Sequence, residues 1–216
     1  MSEPIKEYEE MYLKALYQFH MTDSDKPIRT SDLAKVMGVS AAAASEMVQR
    51  LASKGFLDYE RYKGAKLSDI GFVESARIKR REGLMEVFLV RMLDYQGDVN
   101  AAACKMEHGL NNNLESAIDR LLGYPEYTPD GDLIPQIGRD IQTIASSMLL
   151  PLRALPEGLS GKIELLVLEG ADARTMEDLG IVIGAIIRST ADGYYCGGSN
   201  VNISSNLSSR ILVRTE

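Results

Sequence analysis

The segment between Thr30 and Ser68 constrains this chain more than any other. It reads TSDLAKVMGVSAAAASEMVQRLASKGFLDYERYKGAKLS. Thr30 or Ser31 is placed to cap a short helix, DLAKVM, that stops at Gly38, and Ser40 caps a second, AAAASEMVQRLASK, that ends at Gly55. Leu33, Val36, Met37, Val39, Ala44, Val48 and Leu51 supply apolar contacts between them. Two short helices joined by a Gly-containing turn make a helix-turn-helix. Two β-prone runs follow at once, flanking Lys63-Gly64, a turn able to take positive φ. A helix-turn-helix followed by a basic hairpin is a winged helix, whose second helix is shaped to enter a DNA major groove.

The net charge of −7 argues against a nucleic-acid partner until it is divided along the chain. Residues 1–81 carry 14 Lys+Arg against 12 Asp+Glu, and residues 82–216 carry 10 against 19. The balance is +2 in the first part and −9 in the second. That asymmetry permits DNA binding by the N-terminal part, with the acidic remainder available for cations. No apolar run reaches the roughly 20 residues of a spanning helix, and the N-terminus MSEPIKEYEE lacks the pattern of a signal peptide. A cytoplasmic protein with no membrane partner is expected. Its two cysteines, Cys104 and Cys196, fall in different domains, so no disulfide is expected in a reducing compartment.

Around the winged helix the pattern is helical first and β later. Residues 4–22 read as a helix, with Pro4 in the first turn and Met11, Leu13, Leu16, Tyr17 and Phe19 as its apolar stripe. A long helix runs from Ser68 to about Asp94, followed by helices over 98–109 and 112–122. Their apolar density exceeds what they can bury among themselves, and a homodimer interface is the natural outlet. Residues 125–156 hold five of the seven prolines and predict a boundary region with one helix near 137–149. From residue 160 onward KIELLVLEG, GIVIGAIIRST, NVNISS and RILVRT read as strands of a small β-barrel.

The chemistry concentrates in Ala103-Cys104-Lys105-Met106-Glu107-His108. Cys104, Glu107 and His108 stand at i, i+3 and i+4 of a helix, so the three side chains share one face. Thiolate, carboxylate and imidazole together suit a transition metal rather than magnesium or calcium. His20, the second histidine, reads as a solvated surface residue.

These pieces resemble the diphtheria-toxin-repressor family of iron-dependent regulators, over essentially the whole chain. The resemblance is carried by Glu10-Met11-Tyr12-Leu13, the winged helix, Leu84-Met85-Glu86, the Cys-x-x-Glu-His segment and the turn from Pro129 to Pro135. The C-terminal piece, with Met176-Glu177-Asp178-Leu179-Gly180-Ile181 and Gly184, is similar to the SH3-like module of these regulators and of ferrous-iron transport accessory proteins. The resemblance implies a mainly α protein with a small β part: a winged helix-turn-helix DNA-binding domain over 1–72, a helical dimerisation and metal-binding domain over 73–140, a linker over 141–159 and an SH3-like domain over 160–216. It implies a primary activating site of Met11, Cys104 (side chain or backbone carbonyl), Glu107 and His108. The family's second, two-histidine site is altered here, its positions holding Glu82 and Asn100 beside Glu86. It is either rebuilt from Glu82, Glu86, Asn100 and Glu169 or lost.

Soft sulfur ligands favour Fe(II) over Mn(II), the weakest binder of the divalent series, with Co(II), Ni(II) or Zn(II) as substitutes. A cation binding all four primary ligands ties the DNA-binding domain to the dimerisation domain. Two recognition helices then meet the half-sites of a palindromic double-stranded operator. In the groove the exposed face of the recognition helix is Ser40, Ala41, Ala42, Ala43, Ser45, Glu46 and Gln49. It offers thymine contacts and few bidentate readers, so DNA shape carries part of the readout. Thr30, Ser31, Arg50, Arg61, Lys63 and Lys66 are the candidate phosphate contacts. The expected function is metal-activated repression of iron-uptake genes. The alternatives are a manganese regulator of the same architecture and a winged-helix sensor of a small organic effector. A Cys104–His108 enzyme is disfavoured, because no orienting partner or oxyanion-hole motif accompanies the pair.

Overall fold

The computed structural model describes residues 5–24, 26–141, 144 and 146–216. The chain forms two compact units, Met1–Glu82 with Ile134–Arg139, and Gly83–Leu133 with Asp140–Glu216.

The first unit opens with helix α1, Glu7–Thr22. It starts later than the sequence suggests, because the backbone N–H of Lys6 donates to the Glu9 carboxylate (2.8 Å) and closes the first turn there. Pro4 lies outside the described residues. Tyr12, Leu13, Leu16 and Tyr17 are buried, whereas Phe19 is exposed. Helix α2 covers Thr30–Met37 and α3 covers Ala41–Ser53. Ser40 caps α3 as expected, its hydroxyl accepting from the Ala43 amide (3.2 Å). Thr30 and Ser31 do not cap α2, because that place falls to Arg29, without a side-chain bond. Ile28 exchanges two backbone hydrogen bonds with Ala65, each 2.9 Å, so the chain is extended up to that point and turns helical directly after Arg29. Leu33, Ala44, Val48 and Leu51 are fully buried, while Val36 and Val39 are exposed instead of joining the contact.

Strands β1 (Leu57–Glu60) and β2 (Gly64–Leu67) pair antiparallel, from Leu57 opposite Leu67 to Glu60 opposite Gly64. The connecting loop is Arg61-Tyr62-Lys63, and the left-handed residues are Tyr62 (φ +70°) and Gly64 (φ +115°). A Cβ at Gly64 would lie 2.4 Å from the Ile28 carbonyl oxygen, so the bridge to Ile28 requires glycine there.

Helix α4 runs unbroken from Asp69 to Leu93. Its first turns deliver Ala76 and Ile78 to the same core as Leu13, Leu33 and Leu51. The first compact unit extends to Glu82. Arg80, 2% exposed, donates to the carbonyls of Pro135 (3.2 Å) and Ile137 (2.9 Å), which holds the returning segment 134–139 against this unit.

In the second unit α5 spans Val99–Glu107 and α6 spans Asn112–Leu121. Asp98 and Asn111 cap them, each side chain accepting a backbone N–H at 2.9 Å. The helix expected near 137–149 is not found among the described residues, and residues 142, 143 and 145 lie outside them. Gly138 and Ser147 both hold positive φ, which breaks a helical repeat, and Leu149 begins a strand.

That strand lies within the 141–159 segment expected as a linker. Strand β3 (Leu149–Pro151), a 3-10 turn (Leu152–Ala154), β4 (Ser160–Leu166), α7 (Gly170–Asp178), β5 (Ile186–Thr190), β6 (Gly193–Cys196), β7 (Ser199–Val201), α8 (Ser205–Ser208) and β8 (Ile211–Thr215) build the rest. The six strands form one antiparallel sheet in the order β3-β8-β4-β5-β6-β7. Leu150, Ile163, Ile187, Cys196, Val201 and Val213, one from each strand, enter a single core, so the sheet curls around it. The Gly-Tyr-Tyr-Cys strand has no aliphatic run to announce it and was absent from the strands read off the sequence.

Candidate metal centre and reading head

Helix α5 is a platform for three side chains. Asp98 fixes its start, Ala101 to Ala103 favour the helix, and Ala103 is wholly buried. Glu107 is the last helical residue, and His108 follows as the C-cap with φ −63° and ψ −21°. Because His108 keeps helical backbone angles, the spacing from Cys104 holds through the cap. One ligand atom each from Cys104, Glu107 and His108 lies within 4.8 Å of the others. His108 Nε2 stands 3.8 Å from Glu107 Oε1.

The chemistry of this set fits a first-row divalent cation. Metal bonds of about 2.3 Å to sulfur and roughly 2.0–2.2 Å to nitrogen and oxygen place ligands about 3–4 Å apart, within a small side-chain adjustment of the observed spread. Glu107 is only 1% exposed, so its carboxylate acts in a low-dielectric setting where attraction to a cation is strong. Cys104 and His108 are half-buried. Among the described residues these three form the one cluster of three or more His, Cys, Asp or Glu with metal-binding geometry.

The remaining sequence candidates are distributed differently. Met11 sits half-buried on α1 in the first unit. Glu82, also in the first unit, is paired with Lys14 (2.8 Å) and with Lys79. Burial pushes the Glu82 carboxyl up, but the hydrogen bonds from Lys14 and Lys79 outweigh it and hold the group below the usual carboxylate range. Two ammonium groups thus already supply the positive charge that a cation would bring. Glu86 is buried, Asn100 and Glu169 are exposed, and neither Glu86 nor Glu169 belongs to a metal-type cluster among the described residues. His20 is half-buried, its ring 4.7 Å from that of Phe72, which also stacks on Tyr17 at 5.5 Å. Cys196 is 1% exposed, donates to the Gly180 carbonyl (3.5 Å), and has its thiol pushed up by burial.

On the reading head the exposed face of α3 is internally ordered. Arg50 pairs with Glu46 (3.2 Å), and Gln49 donates to Ser45 (3.2 Å). Ser40 is exposed although its hydroxyl serves the cap, and Ala41, Ala42 and Ala43 leave the first turn uncluttered. Thr30 and Ser31 occupy the first turn of α2. On the wing Lys66 is half-buried, Lys63 pairs with Glu60 (2.7 Å), and the Arg61 guanidinium lies 5.1 Å from the centroid of the Tyr62 ring. Tyr62 and the buried Lys14 were not singled out by sequence reasoning. A Tyr just before Lys63-Gly64 in a hairpin loop was the available signal for the first, and a lysine amid the apolar positions of α1 for the second.

Two family models match the chain: the iron dependent repressor N-terminal DNA binding domain over residues 5–65, and the iron dependent repressor metal binding and dimerisation domain over residues 68–136. An uncharacterized HTH-type transcriptional regulator of Methanocaldococcus jannaschii is 31% identical over 106 residues, covering 49% of this chain and 84% of its own length. The iron-dependent repressor IdeR of Mycobacterium tuberculosis is 25% identical over 194 residues, covering 82% of this chain and 80% of its own length. A solved manganese-dependent transcriptional repressor in complex with manganese aligns with a TM-score of 0.52 at 27% identity, over 96% of this chain and 100% of that one. No helix among the described residues is long and apolar enough to cross a membrane. With both models matched in order across more than half its length, the chain belongs to the iron-dependent repressor family, the diphtheria-toxin-repressor group of metal-dependent transcriptional repressors.

Proposed function

We propose that this repressor uses Fe(II) as corepressor and controls genes of iron uptake and homeostasis. One observation carries the reading: a thiol, a buried carboxylate and an imidazole converge on the end of α5. Sulfur in the set favours Fe(II) over Mn(II), and Co(II), Ni(II) and Zn(II) are the substitutes expected in vitro. Resemblance adds Met11 of α1 as the fourth ligand, with a thioether in keeping with the same preference. When bound, the cation supplies a fixed divalent charge to which these groups direct their lone pairs. Glu107 contributes the neutralising negative charge, His108 binds as neutral imidazole, and Cys104 as thiolate or through its carbonyl. Met11 makes the position of α1 part of the same equilibrium. The switch works only as far as the metal binds the DNA-competent state more tightly than the other.

The operator is a palindromic double-stranded site read by a homodimer, in the cytoplasm, without catalysis. Arg50 and the wing residues Arg61, Lys63 and Lys66, with Thr30 and Ser31, hold phosphates, and Ser40, Ala42, Ser45 and Glu46 face the bases. One cation per protomer is assigned. The set Glu82, Glu86, Asn100 and Glu169 holds no second cation, because Glu82 is already neutralised by Lys14 and Lys79.

The second reading is a manganese regulator of the same architecture, favoured by the likeness to the manganese-dependent repressor and by the hard oxygen donor of Glu107. Anaerobic operator gel shifts at matched free Fe(II) and Mn(II) separate the two. Cys104→Ala and His108→Ala should abolish the Fe(II) response. If both variants still respond fully to iron, the assigned site is wrong.

A further inference from the structure

Helix α1 carries a charge among its apolar residues. Lys14 lies between Leu13 and Leu16, both buried, and is itself only 9% exposed. A lysine enclosed to that degree is tolerated only beside a counter-charge. Glu82 of α4, 14% exposed, supplies it at 2.8 Å, and Lys79 reaches the second oxygen of the same carboxylate. Two ammonium groups therefore hold Glu82, and their combined charge is that of one divalent cation. A metal ion at Glu82 would have to displace both.

A buried ion pair seldom adds stability over apolar residues of the same volume, and what it adds is one defined arrangement. Here the arrangement includes Met11. Met11 and Lys14 stand at i and i+3 on α1, so their side chains leave neighbouring points of one helix face. The Lys14–Glu82 pair fastens that face to α4 within the first unit. We propose that Lys14 is a built-in cation, whose ammonium takes the place of a second metal ion on Glu82 and thereby sets Met11 for the activating one. The proposal rests on the reading of Met11 as a ligand of that activating cation, and it makes Lys14 a positioning residue. Part of the ordering of α1 is then complete before metal arrives, so the cation spends less of its binding energy on it. Activation accordingly requires one cation per protomer.

The test uses the full chain and Co(II), with binding read by isothermal titration. Three proteins are compared with wild type: Lys14→Met with Glu82→Leu, which removes the pair and leaves no buried charge on either residue, Met11→Leu, and all three changes together. Removing the pair should weaken Co(II) binding on the order of ten-fold when Met11 is present, and less than about two-fold when it is leucine, because the loss runs through Met11. A merely structural pair would lower both affinities alike. Lys14→Gln with Glu82→Gln keeps polar groups in place and serves the same cycle if the apolar pair fails to fold. An equal loss in both backgrounds overturns the proposal, as does no loss in either. So does a second equivalent of Co(II) in the wild type that disappears in Glu82→Gln, which would make Glu82 a metal ligand. If Met11→Leu alone leaves Co(II) affinity unchanged, Met11 is no ligand and the proposal falls with it. A Co(II) response lost in Cys104→Ala and His108→Ala would in that case still uphold the metal centre on α5.

Discussion

The Lys54 ammonium stands 2.8 Å from Oε2 of Glu9, joining the end of the recognition helix α3 to the first turn of α1. Glu9 is 1% exposed, and the same oxygen accepts the Lys6 backbone N–H at 2.8 Å. Burial pushes the Glu9 carboxyl up, and the hydrogen bonds from Lys54 and Lys6 bring it below its usual range. The helix that carries Met11 and the helix proposed to meet DNA are therefore joined by one buried ion pair within a single unit.

Lys54→Met leaves the Glu9 carboxylate buried without its ammonium, and should cost about 2–3 kcal/mol of unfolding free energy. The double variant Glu9→Leu with Lys54→Met should recover part of that loss, because no buried charge remains. Urea denaturation of the set measures it. A single variant within about 0.5 kcal/mol of wild type would mean that the pair is solvated and weak.

Gly64→Ala and Gly55→Ala separate steric from conformational cost. Both glycines hold positive φ, but only at Gly64 does a Cβ meet backbone, 2.4 Å from the Ile28 oxygen, while nothing lies within 4 Å at Gly55. Gly55→Ala should cost about 1 kcal/mol, and Gly64→Ala about 3 kcal/mol with loss of the Ile28–Ala65 bridge. Denaturation midpoints and amide exchange at Ile28 and Ala65 report both effects.

Cys104 should alkylate with iodoacetamide in the native protein, whereas Cys196 should react only after unfolding. The first is half-buried at the surface, and the second is buried with its thiol pushed up. Prior loading with Co(II) should slow the Cys104 adduct at least about ten-fold if its thiolate is a ligand. An unchanged rate at Cys104 on loading would assign the contact to its carbonyl instead. Peptide mass spectrometry reads the two sites separately.

Asp98→Ala removes the cap of α5 and should cost about 1 kcal/mol. Because Glu107 and His108 close that helix, the same change should weaken metal binding several-fold by isothermal titration. Asn111→Ala removes the equivalent cap of α6 at similar cost and should leave metal affinity unaltered, since α6 bears none of the three ligands.

What could be read from the sequence follows physical range. The Ser40 cap, the wing and the Cys104–Glu107–His108 face depend on neighbours a few residues apart, and the structure contains all three. The α2 cap was misplaced because Ile28 pairs with Ala65, a contact across the chain that no local pattern encodes. The pairing of Leu149–Pro151 with β8 hid for the same reason, its partners being Leu212, Val213 and Arg214. Glu82 looked like an available carboxylate until folding brought Lys14 beside it.

Segment 134–139, which Arg80 grips through backbone carbonyls, is synthesised long after the rest of the first unit. During translation the winged helix must wait for Gly83–Leu133 to emerge before its last piece arrives. A nascent chain stalled short of Pro135 would leave the Arg80 guanidinium without those acceptors, and protease sensitivity of such stalled chains should drop once residue 139 clears the ribosome.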